Sequence, residues 1–268
     1  MVSIIILTYN GLSLTRQLLN SLKKNVDIKN NEVIVVDNAS TDNTVAELKK
    51  EYDWIQVIEN EANIGFGAAN NLAAKIARGE ILLFLNNDVI VEDDFITQVV
   101  QKLSNDTIGA LGPKILNPDH TFQLSAGRYP TVLNELEDKF VYKYYRRIGW
   151  LRKSVENKFS KEKLVDWITG ASLFIKRKVF NEIGGFDEKY FMYFEDKDLC
   201  KRVRDLGYNV VYFPDVRIVH LLGQSSNIAQ AEKLRRIYRE SQRYYYLKHR
   251  NKIENFILNL YQNSFRKK

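Results

Sequence analysis

Val2–Leu7 is apolar at every position except Ser3, and the next apolar residues, Leu14, Leu18, Leu19 and Leu22, recur at helical spacing within Leu12–Lys24. The exchange of patterns then repeats. Glu32–Val36 reads as a strand, Thr44–Tyr52 as a helix, Ile55–Ile58 as a strand, Ala68–Ala77 as a helix and Glu80–Leu85 as a strand. Asp42 is expected to cap the second helix, because an Asx side chain accepts the free amide hydrogens of a first turn. Regular β-α-β-α order predicts a mostly parallel sheet with helices on both faces, an α/β fold.

After Asp88 the rhythm changes. Asp93–Leu103 has helical spacing, Ala110–Leu116 and Thr121–Arg128 read as extended, and Val165–Lys176 returns as apolar strand around Thr169-Gly170-Ala171. Residues 132–162 interleave Phe140, Tyr142, Tyr144, Tyr145, Trp150 and Leu151 with Lys143, Arg146, Arg147, Arg152 and Lys153, which predicts a helical insertion. Residues 229–268 read as two basic helices that meet near His249–Asn251. In the first of them Leu234, Ile237, Tyr238, Ser241 and Tyr245 share a face beside a stripe of Arg235, Arg239 and Arg243, and Ile253, Phe256, Ile257 and Leu260 repeat the pattern in the second.

At 268 residues the chain can bury a full core. A single cysteine, Cys200, excludes an internal disulfide framework and fits a reducing cytoplasm. No apolar run approaches the ~20 residues of a membrane span, and Val2–Leu7 is too short for a signal peptide. The formal net charge of +7 points to an anionic partner: phosphate, acidic lipid or nucleic acid.

The chemistry gathers where strands end. Leu83-Phe84-Leu85 runs straight into Asn86-Asn87-Asp88, the first strand ends in Thr8-Tyr9-Asn10, and the second in Asp37-Asn38-Ala39-Ser40-Thr41-Asp42. In open α/β sheets ligands bind outside the carboxyl ends of the strands, so these clusters suit a base, a ribose and a diphosphate. Asp37 could accept a hydrogen bond from N3–H of uracil or thymine, which cytosine does not offer, or serve only as a turn acid. Asp88 is the natural ligand for Mg²⁺ or Mn²⁺, which needs one or two protein carboxylates beside water and phosphate oxygens.

Asn63-Ile64-Gly65-Phe66-Gly67-Ala68-Ala69-Asn70 opens a helix and runs close to a dinucleotide fingerprint, but Asn70 stands where the third glycine belongs. Small residues there still allow a diphosphate or sugar near the backbone. Arg78 could pair with phosphate or act as a helix-end cation. Farther along, Phe194-Glu195-Asp196-Lys197-Asp198 supplies a general base. At about 100° per residue Asp196 shares a face with Leu199, Cys200, Val203 and Leu206, while Asp198 points away among Lys201, Arg202 and Asp205. Asp196 is therefore the expected base, with Glu195 at the edge of the apolar stripe. His220 could be a further metal ligand or merely structural. Trp167, Thr169, Gly170 and Ala171 could wall an acceptor or donor-sugar subsite.

With these motifs in order, Thr8-Tyr9-Asn10, Val36-Asp37-Asn38-Ala39-Ser40-Thr41-Asp42, Asn63-Ile64-Gly65-Phe66, Asn86-Asn87-Asp88, Thr169-Gly170-Ala171, Phe186-Asp187-Glu188 and Glu195-Asp196, the chain resembles the inverting family 2 glycosyltransferases of GT-A fold, in particular their rhamnosyltransferase branch. The resemblance spans about residues 2–225. It implies a donor bound as a nucleotide sugar, dTDP- or UDP-linked, with Asp37 on the pyrimidine, Asp88 as the metal acid of a D-x-D motif whose first member is here Asn86, His220 completing the metal site and Asp196 as base. The donor implied is dTDP-L-rhamnose, and the acceptor a glycan or lipid-linked saccharide.

On this reading residues 1–115 form a nucleotide-sugar-binding half and 116–228 an acceptor-binding, catalytic half of one domain, followed by the basic helices of 229–268. Those helices either pack on the domain or meet an anionic membrane surface, with 139–153 the better membrane candidate. A cytoplasmic enzyme, peripheral on the inner face of the cell membrane and free to form oligomers, is expected. Nucleic acid is not an expected partner, since the sheet reads as buried rather than as a stacking platform. A non-catalytic nucleotide-sugar binder and a UDP-sugar transferase are the alternatives.

Overall fold

The computed structural model of the chain describes residues 1–145, 147–221 and 228–264. Strand and helix alternate through β1 (Val2–Thr8), α1 (Leu12–Asn25), β2 (Glu32–Asp37), α2 (Thr44–Glu51), β3 (Ile55–Glu59), α3 (Phe66–Ile76) and β4 (Ile81–Asn86). Next come β5 (Val89–Ile90), α4 (Ile96–Leu103), β6 (Ile108–Leu116), β7 (Phe122–Gln123) and β8 (Ala126–Gly127). The insertion is the helix pair α5 (Val132–Tyr144) and α6 (Gly149–Lys158), followed by β9 (Lys163–Leu164), β10 (Trp167–Ile168), β11 (Ser172–Lys176) and α7 (Arg177–Glu182). The chain closes with α8 (Glu195–Asp205), β12 (Asn209–His220), α9 (Ile228–His249) and α10 (Lys252–Ser264).

The main sheet has the order β3-β2-β1-β4-β11-β6-β12-β5, with β7 on β6 and β9 on β12. Its longer pairings, β1 with β2 and β4, β2 with β3 and β6 with β12, are parallel, and β11 enters antiparallel between β4 and β6. Both faces are dry. In β1, Ile5 joins one core while Val2, Ile4 and Ile6 join the other, and in β4 Leu82 and Phe84 oppose Leu83 and Leu85. The period of two explains why these strands read as unbroken apolar runs: each face meets its own helix layer. Helices α1, α2 and α4 cover one face and α3, α7 and α8 the other.

Several elements depart from expectation for local reasons. The expected strand Val165–Lys176 breaks at Thr169-Gly170-Ala171, because β10 pairs with β8 whereas β11 pairs with β4 and β6. Helix α4 starts at Ile96 rather than Asp93, since the Asp94 carboxylate accepts the Ile96 and Thr97 N–H groups. Asp42 accepts the Thr44 N–H at 3.0 Å but stands one residue before the N-cap, which is Asn43. Strand β12 spans 12 residues, and its register shifts between Phe213 and Arg217, where Pro214 has no N–H to give a ladder.

The two C-terminal helices form a hairpin with contrasting faces. Ile237, Ser241 and Tyr245 of α9 are buried as expected, and Tyr245, Tyr246 and Leu258 pack with Tyr190 and Phe194 ahead of α8. Glu135 of α5 accepts hydrogen bonds from Tyr238, Gln242 and Tyr246, which ties the insertion to α9. The second repeat keeps its spacing but turns outward: Ile253, Phe256, Ile257 and Leu260 all face solvent. In the aromatic-basic stretch Tyr145 and Leu151 are buried, Phe140 and Trp150 are exposed, and Arg146 lies outside the described residues.

Candidate active site

One edge of the sheet carries the acids. Thr8 is in register with Asp37 across β1 and β2, and Leu7 with Asn86 across β1 and β4, so adjacent strands about 5 Å apart deliver both clusters side by side. The Asn86 N–H donates to the Ala171 carbonyl at 3.1 Å, which brings the Thr169-Gly170-Ala171 turn alongside. The Gly170 N–H in turn donates to Asp196 Oδ2 at 3.1 Å. Asp37, Asp88 and Asp196 thus stand on one continuous rim, although 108 residues separate the last two.

Asp37 is almost fully buried. Its Oδ1 accepts the Ser40 N–H at 2.8 Å, while Oδ2 is buried without a protein partner. A desolvated carboxylate oxygen left open costs about 1–3 kcal/mol, so the site suits a ligand that brings an N–H. Tyr9 beside it is half-exposed, and Asn10, in the left-handed region at φ 49°, fastens the two loops by donating its N–H to Ser40 Oγ and accepting the Thr41 N–H on Oδ1.

Other expected donor contacts serve the scaffold instead. Thr8 Oγ1 is buried against Thr15 Oγ1 at 2.9 Å, and Asn87 turns inward to donate to both hydroxyls at 3.3 Å. Gly11 makes that possible, because a β-carbon there would stand 2.4 Å from Asn87 Nδ2. Asn38 is buried and bonded to Asn60, Asn63, Ile64 and Gly65, so it holds the β3–α3 loop. Gly65, at φ +89°, is needed for close packing of the chain itself: a β-carbon there would meet the Phe191 carbonyl oxygen, which accepts the Phe66 N–H. Asn70 is buried and donates back to the Phe66 carbonyl. Arg78 is at the opposite end of the sheet, paired with Glu32 beside the start of β1, and is not brought to the rim.

Asp88 and His220 meet at the strand ends. Oδ1 and Nε2 are 3.0 Å apart, both side chains are largely buried, and the Leu221 N–H donates to the Asp88 carbonyl. His220 Nδ1 contacts Gln123 Oε1 at 3.1 Å, an orienting contact with no signal in the sequence. With the Nδ1 proton given to Gln123, Nε2 and a carboxylate oxygen present lone pairs to the same point. Two ligands 2.0–2.1 Å from an octahedral cation and at right angles are about 3 Å apart, so the pair fits Mg²⁺ or Mn²⁺. Asn86 Nδ2 lies 3.4 Å from His220 Nε2, beside the same point. Among the described residues no cluster of three or more His, Cys, Asp or Glu side chains could hold a metal.

The Glu195-Asp196 pair opens α8 from a strained turn. Tyr193 and Phe194 adopt φ of 71° and 68°, positions that cost non-glycine residues roughly 1–3 kcal/mol each. Packing overrides that cost: Phe194 is buried against Tyr238 and Tyr245 of α9, and Ser241 Oγ donates to the Met192 carbonyl at 2.8 Å. Asp196 is partly exposed, its Oδ1 accepting the Lys197 N–H. Glu195 is buried with Oε2 unpartnered, and burial together with the neighbouring Asp196 pushes its carboxyl up to about 8.

Asp198 is not on an outward face. It is fully buried, bonded to Arg202, His249 and Lys248 at 2.7 Å each; burial alone would raise its pKa, but those partners hold it at about 2. Helix α9 covers the side of α8 that the sequence assigns to solvent. Trp167 is likewise buried, its Nε1–H donated to the Arg128 carbonyl and the Lys197 ammonium 4.9 Å from its ring, so it backs Asp196's neighbour rather than forming an open wall. Thr169 remains partly exposed beside Gly170. A cavity of about 320 Å³ between α5, α6, β8 and β9 is lined by none of the three acids.

Residues 3–184 match the family described as Glycosyl transferase family 2, and residues 153–225 match a second, described as N-terminal domain of galactosyltransferase. The N-acetylglucosaminyl-diphospho-decaprenol L-rhamnosyltransferase of Mycobacterium tuberculosis is 29% identical over 215 residues, 75% of this chain and 70% of that protein. The rhamnosyltransferase WbbL of Escherichia coli is 29% identical over 82% of this chain and 83% of its own. The mannosyltransferase PcManGT of Pyrobaculum calidifontis, solved with GDP-Man and Mn²⁺, superimposes with a TM-score of 0.62 at 22% identity; 90% of this chain spans 62% of that one. The fold is therefore that of the GT-A glycosyltransferases.

Proposed function

This chain is a member of glycosyltransferase family 2, and on that footing we propose that it is an inverting rhamnosyltransferase, moving L-rhamnose from dTDP-L-rhamnose to a hydroxyl of a lipid-linked saccharide or glycan in cell-surface polysaccharide synthesis. The rhamnosyltransferase names of two relatives support the donor, and the decaprenol in one of them supports a lipid-linked acceptor. The observation that carries the reading is Asp196, partly exposed and oriented by the Gly170 N–H on the same rim as Asp37 and Asp88.

The pyrimidine N3–H fills the open Oδ2 of Asp37. That oxygen serves thymine and uracil alike, so a UDP-sugar donor is the competing reading. Asp88 and His220 hold the divalent cation, which when bound neutralises charge on the departing nucleoside diphosphate. Asp196 takes the proton from the acceptor hydroxyl as its oxygen bonds to the anomeric carbon. The bond from that carbon to the phosphate oxygen breaks on the opposite side, which inverts the centre. Glu195 is too buried to touch an acceptor; as a neutral acid it removes a like charge from beside Asp196.

General-base help is worth about 10²–10⁴-fold. Asp196→Asn should lose transfer by that factor, read as nucleotide release, while dTDP-L-rhamnose still raises the melting temperature. Retention of more than about a tenth of turnover would place the base elsewhere. Stronger stabilisation by UDP-sugars than by dTDP-L-rhamnose would favour the competing donor.

A further inference from the structure

Helix α10 has a buried side and, opposite it, an apolar face that nothing covers. Leu258 and Gln262 are buried, Gln262 donating to Gln242 Oε1 at 2.7 Å. On the opposite side Ile253, Phe256, Ile257 and Leu260 are 71, 63, 42 and 57% exposed. Their i, i+3, i+4, i+7 spacing makes an unbroken stripe along a helix about 20 Å long. Such a stripe has no role in the fold and is costly to leave in water.

The surroundings extend the patch and give it a charge. Lys139 of α5 lies over the Tyr261 ring at 5.0 Å, and on α5 Leu133, Leu136 and Phe140 are also exposed. Lys252 and Lys139 border the stripe in the open, whereas the acid of α10, Glu254, is engaged by Arg250 at 2.8 Å. No helix among the described residues is long and apolar enough to cross a membrane. Bulky apolar groups rimmed by cations suit a helix lying in the headgroup boundary of a bilayer rather than spanning it.

We propose that the outer face of α10, extended by α5, is a seat for an anionic lipid bilayer. A two-fold pair of chains using the same face would set one basic rim against the other, whereas an acidic membrane complements it. This places the membrane contact on α10, not chiefly on residues 139–153.

The test is flotation of the full chain with phosphatidylcholine vesicles, with and without phosphatidylglycerol, at low and high salt. Wild type should float with phosphatidylglycerol and release partly at high salt. Phe256→Ser with Leu260→Ser should lower partitioning more than tenfold at unchanged melting temperature, and Lys139→Glu with Lys252→Glu should lower it and remove the salt dependence. The readout needs no donor, so it stands apart from the donor assignment. Wild type that fails to float with acidic vesicles, or variants that float as wild type does, would overturn the proposal. So would a lipid-free dimer that the serine pair converts to monomer, since a second copy would then be the occupant.

Discussion

Replacing Glu195 with glutamine should flatten a fall in stability that the wild-type chain shows between about pH 5 and 8. The Glu195 carboxyl is buried, its Oε2 has no partner, and burial plus the Asp196 charge raise it from 4.5 to about 8. Across that window the folded chain keeps a proton that the unfolded chain has released. Stability therefore drops as pH rises from about 4.5, and the drop ends near pH 8. At about 1.4 kcal/mol per pH unit the ceiling is about 5 kcal/mol. Asp196 is partly exposed and its contribution is screened, so about 2–4 kcal/mol is expected. Glutamine cannot ionise. Its amide leaves a buried N–H unpaired at a cost of about 1–3 kcal/mol, but that offset is the same at every pH. Urea unfolding of both chains at intervals from pH 5 to pH 8 separates slope from offset. Parallel curves for the two would show that Glu195 is ionised when folded, and the reasoning would fail.

Asp198→Ala strands Arg202, Lys248 and His249 around a vacated carboxylate site and should destabilise the chain by about 3–5 kcal/mol in urea unfolding. Because the folded pKa of Asp198 lies below its unfolded value, its contribution is present above about pH 4 and lost as pH falls towards 2, so the variant's deficit should shrink in acid. Asp88→Ala should abolish the response of nucleoside-diphosphate affinity to a chelator, read by calorimetry with and without the chelator; an unchanged response would remove Asp88 from the metal. Asp37→Asn turns an acceptor towards the pyrimidine N–H into a donor and should weaken donor binding by roughly 5–100-fold, or about 1–3 kcal/mol, in a thermal-shift titration.

The strand ends were the most readable part of the chain. A buried parallel strand has no polar residue to spare, so Asp37 and Asp88 stand out against Val33–Val36 and Leu82–Leu85. What each polar neighbour does was not readable. Thr8, Asn38 and Asn87 belong to the same clusters yet bond inward, because sequence gives the strand end but not the direction of each polar residue there. Asp198 was misread since helical periodicity around α8 knows nothing of α9, which arrives from fifty residues downstream to cover the second face. Gln123 carries no motif at all; only the fold of β7 against β6 brings it to His220.

The turn that presents Asp196 has a consequence for how the chain matures. Tyr193 and Phe194 are held in their unfavourable backbone geometry by Tyr238, Ser241 and Tyr245, which a ribosome makes well after the turn itself. Asp37 and Asp88 sit on strands completed long before. In a nascent chain the strand ends bearing Asp37 and Asp88 would thus be complete before the turn that presents Asp196 could be held, so the two parts of the rim form one after the other.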